Sequence, residues 1–187
     1  MRVEKVKPNV IIYGLYPNKD DEEYHMCMWA RFSFDCDNGR LNINSDAGDY
    51  SYGWGHNEHE EFMHLMSRVN KEYLLDKISG RSEFNIEKSK KETIKNVKEY
   101  GITCMGVKNG KRISEIVQDI KEIDNGSSEE TFFREVDAKV PEIEWESISI
   151  IKEYPHGAVV ITELFDKYIK PVIKEELMLK GKEKDEE

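Results

Sequence analysis

The residues best suited to chemistry form a histidine- and glutamate-rich segment in the first third of the chain. They are His56, His59, Glu60, Glu61 and His64. Imidazole nitrogens and carboxylate oxygens are good zinc ligands, and a helix beginning near Asn57 would place Glu60 and His64 on one face. The spacing is not that of a His-Glu-x-x-His motif, and no fourth ligand is evident. Three histidines within nine residues are also typical of an exposed helix start. A metal-dependent nuclease or hydrolase using His56, His59, Glu60 and His64 is therefore kept as an alternative function.

Aspartates at two neighbouring turns are a second candidate for chemistry. They are Asp35, Asp37, Asp46 and Asp49. Paired carboxylates could hold Mg²⁺ for nuclease chemistry. Aspartate is also an ordinary turn residue, because its side chain bonds the local backbone. Both interpretations stay open, and neither set of residues indicates an organic cofactor.

The three cysteines, Cys27, Cys36 and Cys104, have no metal-ligand spacing. An odd number of thiols favours a reducing compartment. No neighbouring residue marks any of them as an activated nucleophile. No apolar run approaches the roughly 20 residues of a membrane span, so no membrane contact is expected.

Charge is distributed unevenly along a chain whose net charge is -10. Residues 20–61 hold eleven acidic residues and two basic ones, whereas residues 81–112 hold nine basic residues and four acidic ones. An anionic surface repels nucleic-acid backbones and suits a basic partner surface. The carboxylates expected to contact such a partner are Asp20, Asp21, Glu22, Glu23, Asp46, Asp49 and Glu58.

The basic middle of the chain contains a predicted helix rich in lysine. Lys88, Lys91 and Lys95 on that helix could follow a phosphate backbone, which gives a nucleic-acid-binding accessory protein as a further alternative. Glutamates four residues from several of these lysines would instead form ordinary surface pairs. The helix therefore has two interpretations.

Alternating apolar residues predict an antiparallel meander of three or four strands over residues 10–54. The first strand covers residues 10–16 and the second residues 26–34, with Met26 and Met28 on its apolar face. Asp37-Asn38-Gly39 then predicts a hairpin turn, since Asn and Gly accept a positive φ. The stripe formed by Tyr50, Tyr52 and Trp54 fits a core between sheet and helix, or a base-stacking surface.

Helical periodicity replaces this alternation in the rest of the chain. It predicts a short helix near residues 57–69 and a second one carrying Tyr73 to Ile78 that Gly80 ends. Longer helices are predicted from Phe84-Asn85-Ile86 to about Tyr100 and over residues 113–123, and another begins at a Ser127 and Glu130 capping box. A last helix begins near His156, and Pro171 kinks or restarts it.

The predicted fold class is α+β, with an N-terminal antiparallel sheet packed by helices and a helical C-terminal lobe. Residues 1–80 would form the sheet with two covering helices, residues 81–180 the lobe packed on it, and residues 181–187 a disordered charged tail. The whole is expected to be one compact unit.

A family resemblance rests on the hairpin Ser45-Asp46-Ala47-Gly48-Asp49-Tyr50-Ser51-Tyr52-Gly53-Trp54, followed by Phe62 and Tyr73-Leu74-Leu75. This pattern resembles a group of small proteins from phages and prophages of Gram-positive bacteria. The resemblance covers about the first hundred residues, with an echo at Tyr154-Pro155, and the chain departs from the group at Gly53 and in its histidine-rich loop. Some proteins of this general type are anti-CRISPR inhibitors of Cas9. No functional residue is carried over from the group.

The resemblance and the charge together predict a phage-encoded acidic inhibitor of a bacterial defence system. The expected partner is a basic protein surface, such as a CRISPR nuclease with or without its guide RNA. Binding without catalysis is expected, in the cytoplasm of the bacterial host, and no cofactor is required. Self-association into a homo-oligomer stays open.

Overall fold

The computed structural model describes residues 1–5, 7–55, 61–100, 113–139 and 147–185. In chain order its strands and helices are β1 (Val10–Leu15), β2 (Ala30–Asp35), β3 (Arg40–Ser45), β4 (Tyr50–Gly53), α1 (Phe62–Arg68), α2 (Lys71–Ile78), β5 (Glu83–Phe84), α3 (Ile86–Tyr100), α4 (Ile113–Lys121), α5 (Glu129–Lys139), β6 (Lys152–Glu153), α6 (His156–Leu164) and α7 (Lys170–Asp185). An N-terminal antiparallel sheet followed by helices confirms the α+β class.

The chain divides into two compact units. Unit 1 contains Met1–Gly80 and Tyr154–Glu187, and unit 2 contains Arg81–Glu153. The last helices thus cluster with the sheet, whereas the sequence placed residues 154–180 in the helical lobe. Helix α7 also extends to Asp185, into the tail that the sequence predicted to be disordered.

The sheet of unit 1 is a meander with strand order β1-β2-β3-β4. Its registers pair Phe32 with Tyr13 on one side and with Ile43 on the other. The turn between β2 and β3 needs a glycine, because Gly39 has a φ of +57° and a Cβ there would lie 2.4 Å from the carbonyl oxygen of Gly55. The predicted hairpin is therefore confirmed.

One face of this sheet is covered by helices. Phe32, Phe34, Leu41 and Ile43 are fully buried in a core completed by helices α1, α2, α6 and α7. The stripe formed by Tyr50, Tyr52 and Trp54 packs half-buried against this core. The Trp54 indole donates to the Tyr73 hydroxyl of α2 at 3.0 Å.

A wide helical turn, Phe165–Ile169 with π geometry, joins α6 to α7. Pro171 is the second residue of α7, two positions after the end of this turn. A proline inside an α-helix lacks an N–H and clashes with the carbonyl four residues earlier, which here belongs to Lys167. The widened turn accommodates that clash, so the helix continues past Pro171.

Unit 2 has its own small core, formed by α3, α4, α5 and the β5–β6 pair. Val97, Ile116, Ile120, Phe132 and Val136 are buried together there. The two ends of unit 2 lie side by side, because β5 and β6 are antiparallel neighbours that pair Glu83 with Glu153.

The N-terminal cap of helix α5 lies one residue later than predicted. The Ser128 hydroxyl, not that of Ser127, accepts from the Thr131 backbone N–H at 3.2 Å. A cap accepts from the third helical N–H, so the cap residue is one position later than the Ser127–Glu130 pattern indicated.

Candidate partner-binding surface

The acidic segment that the sequence singled out folds as a compact loop, residues 18–29, which we call the acidic loop. The Asp21 carboxylate accepts from the backbone N–H of Asn18 at 2.6 Å. The carbonyl of Glu23 accepts from the N–H groups of Met26 and Cys27, both at 2.9 Å. These local bonds form a 3-10 turn, Glu22–His25, and fix which side chains face outward.

Glu23 differs from its acidic neighbours because it is buried. Its carboxylate bonds the ammonium group of Lys167, which lies in the wide turn before α7. This hydrogen bond holds the pKa of the Glu23 carboxyl below its ordinary value and raises that of Lys167. Glu23 therefore joins the acidic loop to the C-terminal helices, while Asp20 and Glu22 are exposed.

Asp46 has a structural contact as well. Its carboxylate accepts from the backbone N–H of Met28 at 2.9 Å, from that of Trp29 at 3.3 Å and from the Cys27 thiol at 3.1 Å. Desolvation alone would raise the pKa of Asp46, but these donors outweigh it and the pKa is lowered. Burial, followed by the bond to Asp46, raises the pKa of the Cys27 thiol to about 12. Asp46 thus ties the β3–β4 turn to the acidic loop.

Three large apolar side chains at the end of the acidic loop are exposed. The exposed fractions are 41% for Met26, 52% for Met28 and 40% for Trp29. The sequence placed Met26 and Met28 in the second strand, but β2 begins only at Ala30 because the 3-10 turn and the Asp46 bonds interrupt the alternation. Met26 and Met28 continue the period-two apolar series of Ala30, Phe32 and Phe34, which is why the sequence assigned them to the strand.

A charged groove of about 620 Å³ lies beside the acidic loop. Its charged lining residues are Glu22, Glu23, Lys71, Glu72, Glu163, Asp166, Lys167 and Lys170. Each lysine has a carboxylate partner: Lys71 lies 3.2 Å from Glu163, and Lys167 and Lys170 pair with Glu23 and Asp166. The groove therefore carries an excess of negative charge, contributed by Glu22 and Glu72.

Besides Asp46, two predicted contact residues lie apart from the acidic loop in sequence, namely Asp49 and Glu58. The Asp49 carboxylate is exposed and accepts from the Asn44 amide at 3.2 Å and from the Ser45 N–H at 3.4 Å. Glu58 lies outside the described residues. The structure thus brings together Asp20, Asp21, Glu22 and Glu23 on one loop, with Asp46 bonded to its end.

Most of the proposed metal ligands, His56, His59 and Glu60, also lie outside the described residues, as does Cys104. His64 is exposed on α1, with its Nε2 atom 4.0 Å from Glu61. Within the part of the chain that the structure describes, no three His, Cys, Asp or Glu residues are grouped to hold a metal ion. The metal site stays a prediction.

The lysines of α3 have separate environments within unit 2. Lys88 pairs with Glu153, rather than with the Glu92 that its spacing indicated. Lys95 lies 2.8 Å from Glu92, three residues earlier, instead of pairing with Glu99. Lys91 and Lys95 line a second groove, which Lys88 does not.

Comparison with known proteins assigns the chain to a family. The family model Phage_phiTE_072, described as a phage family, matches residues 5–175. The chain belongs to this phage family. No curated protein and no solved structure matches it. The predicted phage origin of this phage-family protein is thereby confirmed. In the described residues, no helix has the length and apolarity needed to cross a bilayer.

Proposed function

We propose that this phage protein acts by binding, through the acidic loop and its groove, to a basic surface of a bacterial defence protein, and thereby inhibits it. The finer proposal is an anti-CRISPR protein directed at a Cas9-type nuclease. The observation that supports this best is the adjacency of exposed Met26, Met28 and Trp29 to exposed Asp20 and Glu22 on one loop.

Apolar and acidic residues would have different tasks in such an interface. Methionine and tryptophan are enriched at the centres of protein interfaces, and tryptophan is among the residues that most often dominate the binding energy. Carboxylates around them speed association with a basic partner and select it against acidic ones.

A Cas9-type nuclease fits this chemistry because its nucleic-acid channels are lined with Lys and Arg. Asp20 and Glu22 would lie where phosphates otherwise lie, while the apolar side chains anchor the complex. Glu23 and Asp46 are left out of the contact set, since their carboxylates are engaged within unit 1.

The test is complex formation with a purified Cas9-type nuclease, with and without guide RNA, measured by size-exclusion chromatography and by inhibition of DNA cleavage. We expect Trp29→Ala with Met28→Ala to weaken binding at least about tenfold, the effect of one interface hot spot. Leu179→Ala is the control, because Leu179 on α7 is 55% exposed and does not line the groove.

Charge is tested separately with Asp20→Lys and Glu22→Lys. We expect them to slow association most at low ionic strength, because 0.1 M salt largely screens the attraction between exposed charges more than about 10 Å apart. Absence of any complex, or equal binding by the loop variants and Leu179→Ala, would contradict the proposal.

A further inference from the structure

Unit 2 contains a groove along helix α3 whose charge is opposite to that of the acidic loop. Its volume is about 620 Å³. The lining residues are Glu87, Lys90, Lys91, Ile94, Lys95, Lys98, Glu99, Lys121 and Asn125. Five lysines and two glutamates line it, so the groove is strongly cationic in a protein whose net charge is -10.

One of these lysines fixes the walls of the groove. Lys90 is only 8% exposed and donates to the Lys121 carbonyl at 3.2 Å, to the Ile123 carbonyl and to the Asn125 side-chain oxygen at 2.7 Å. It thereby satisfies carbonyls at the C-terminal end of α4. Since Lys90 belongs to α3, its ammonium group holds the end of α4 against α3.

The remaining lysines are exposed and evenly spaced. Lys91, Lys95 and Lys98 lie four and three residues apart, so they share one face of α3. At 1.5 Å per residue, the rise from Lys91 to Lys98 is about 10 Å. A nucleic-acid strand places one phosphate per roughly 3.4 Å of its axis, so this rise spans about three phosphates.

Nearby carboxylates neutralise only part of the positive charge of these lysines. Lys95 lies 2.8 Å from Glu92, which takes up some of its charge. Among the described residues, Lys91, Lys98 and Lys121 have no carboxylate within ion-pair distance. Apart from Ile94, the lining residues are charged or amide side chains and none of them is aromatic, so the groove offers no base-stacking platform.

We propose that this groove binds the phosphate backbone of a nucleic acid, with Lys91, Lys95, Lys98 and Lys121 contacting phosphates and Lys90 positioning them. Because phosphate contacts carry no sequence information, RNA and DNA of any sequence are expected to bind through the same chemistry. The site is independent of the acidic loop. It differs from the set expected from the sequence, since Lys88 is engaged by Glu153 and Lys98 and Lys121 join it.

The test is fluorescence anisotropy of the full chain with short labelled single-stranded RNA, single-stranded DNA and duplex DNA, at salt from about 50 to 200 mM. We expect binding at low salt that weakens as salt rises. Lys91→Ala with Lys98→Ala should lower the slope of log K against log salt by roughly 0.7 to 0.9 for each lysine removed.

Lys174→Ala with Lys180→Ala is the matched control, because it removes the same charge from exposed positions of α7. It should bind like the original protein, and circular dichroism should show both double variants folded. The proposal is overturned if no nucleic acid binds at low salt, if both double variants bind equally, or if only an acidic polypeptide such as polyglutamate binds.

Discussion

The carboxylates of unit 1 differ in what they contact, although the sequence grouped them as one anionic surface. Glu23 and Asp46 have partners in the fold, Lys167 for the first and the N–H groups of Met28 and Trp29 for the second. Asp20 and Glu22 are exposed. A substitution at Glu23 or Asp46 therefore changes stability, whereas one at Asp20 or Glu22 changes the surface charge.

Asp46→Ala should lower the free energy of unfolding by about 1–2 kcal/mol at neutral pH, because two N–H groups and a thiol lose a charged acceptor. Chemical denaturation followed by tryptophan fluorescence measures this. Asp20→Ala, which removes an exposed carboxylate of the same loop, should stay within about 0.5 kcal/mol of the original.

The loss in Asp46→Ala should also depend on pH. Since the folded-state pKa of Asp46 lies below the ordinary 3.8, its stabilisation is fully present above that value and disappears as pH falls through the folded-state pKa. The difference between the original and Asp46→Ala should thus be constant near neutral pH and shrink in acid. A difference that stays the same in acid would exclude the charged acceptor as the cause.

At the scale of elements, the start of α6 packs directly on the β3–β4 turn. A Cβ at Gly157 would lie 1.9 Å from the carbonyl oxygen of Ala47 and 2.8 Å from the hydroxyl of Tyr50. The Tyr50 hydroxyl donates to the same carbonyl at 3.1 Å. The turn of the hairpin on which the family resemblance rests is therefore held in place by a helix more than one hundred residues later in the chain.

Gly157→Ala should destabilise the protein by about 1–3 kcal/mol, because the helix must move away from the turn to admit a methyl group. Gly181→Ala in α7 is the matched control, since a Cβ there meets nothing within 4 Å. It should be neutral or stabilising by up to about 1 kcal/mol. Thermal unfolding followed by circular dichroism distinguishes the two, and equal effects would contradict the close approach.

At the scale of the whole molecule, the two units have separate cores. The core of unit 1 is built around Phe32, Phe34 and Leu164, and that of unit 2 around Ile120 and Phe132. The two proposed binding surfaces also lie on different units. A destabilising substitution in the core of one unit should therefore affect the binding surface of that unit before that of the other.

Hydrogen exchange measured by mass spectrometry tests this separation. Ile120→Ala leaves a cavity at a side chain with 0% exposure and should cost about 2–5 kcal/mol, so amides of α4 and α5 should exchange faster. Leu164→Ala, at 2% exposure, should instead speed exchange in β2 and β3. Faster exchange throughout the chain in both variants would show that the units unfold together.

Much of the candidate surface could not be found by reading the chain. The acidic residues of the loop were visible, but the exposure of Met26 and Met28 was hidden because they continue the period-two apolar series of Ala30, Phe32 and Phe34, which is the pattern of a strand. Likewise, the periodicity of α3 identified a lysine-rich helix, but its neighbours decide which lysines are engaged: Glu153 for Lys88 and the end of α4 for Lys90.

Elements whose signals are local could be predicted from the chain alone. The Asp37-Asn38-Gly39 turn, the strands around it and the apolar repeat of α4 follow from backbone preference and periodicity over a few residues. Which charges are engaged, and with which unit the last helices pack, follows only from the folded chain. Glu23 and Lys167 are 144 residues apart, and Tyr154–Glu187 returns to unit 1 after the whole of unit 2. Contacts between such distant residues depend on burial and close packing, which no short stretch of sequence specifies.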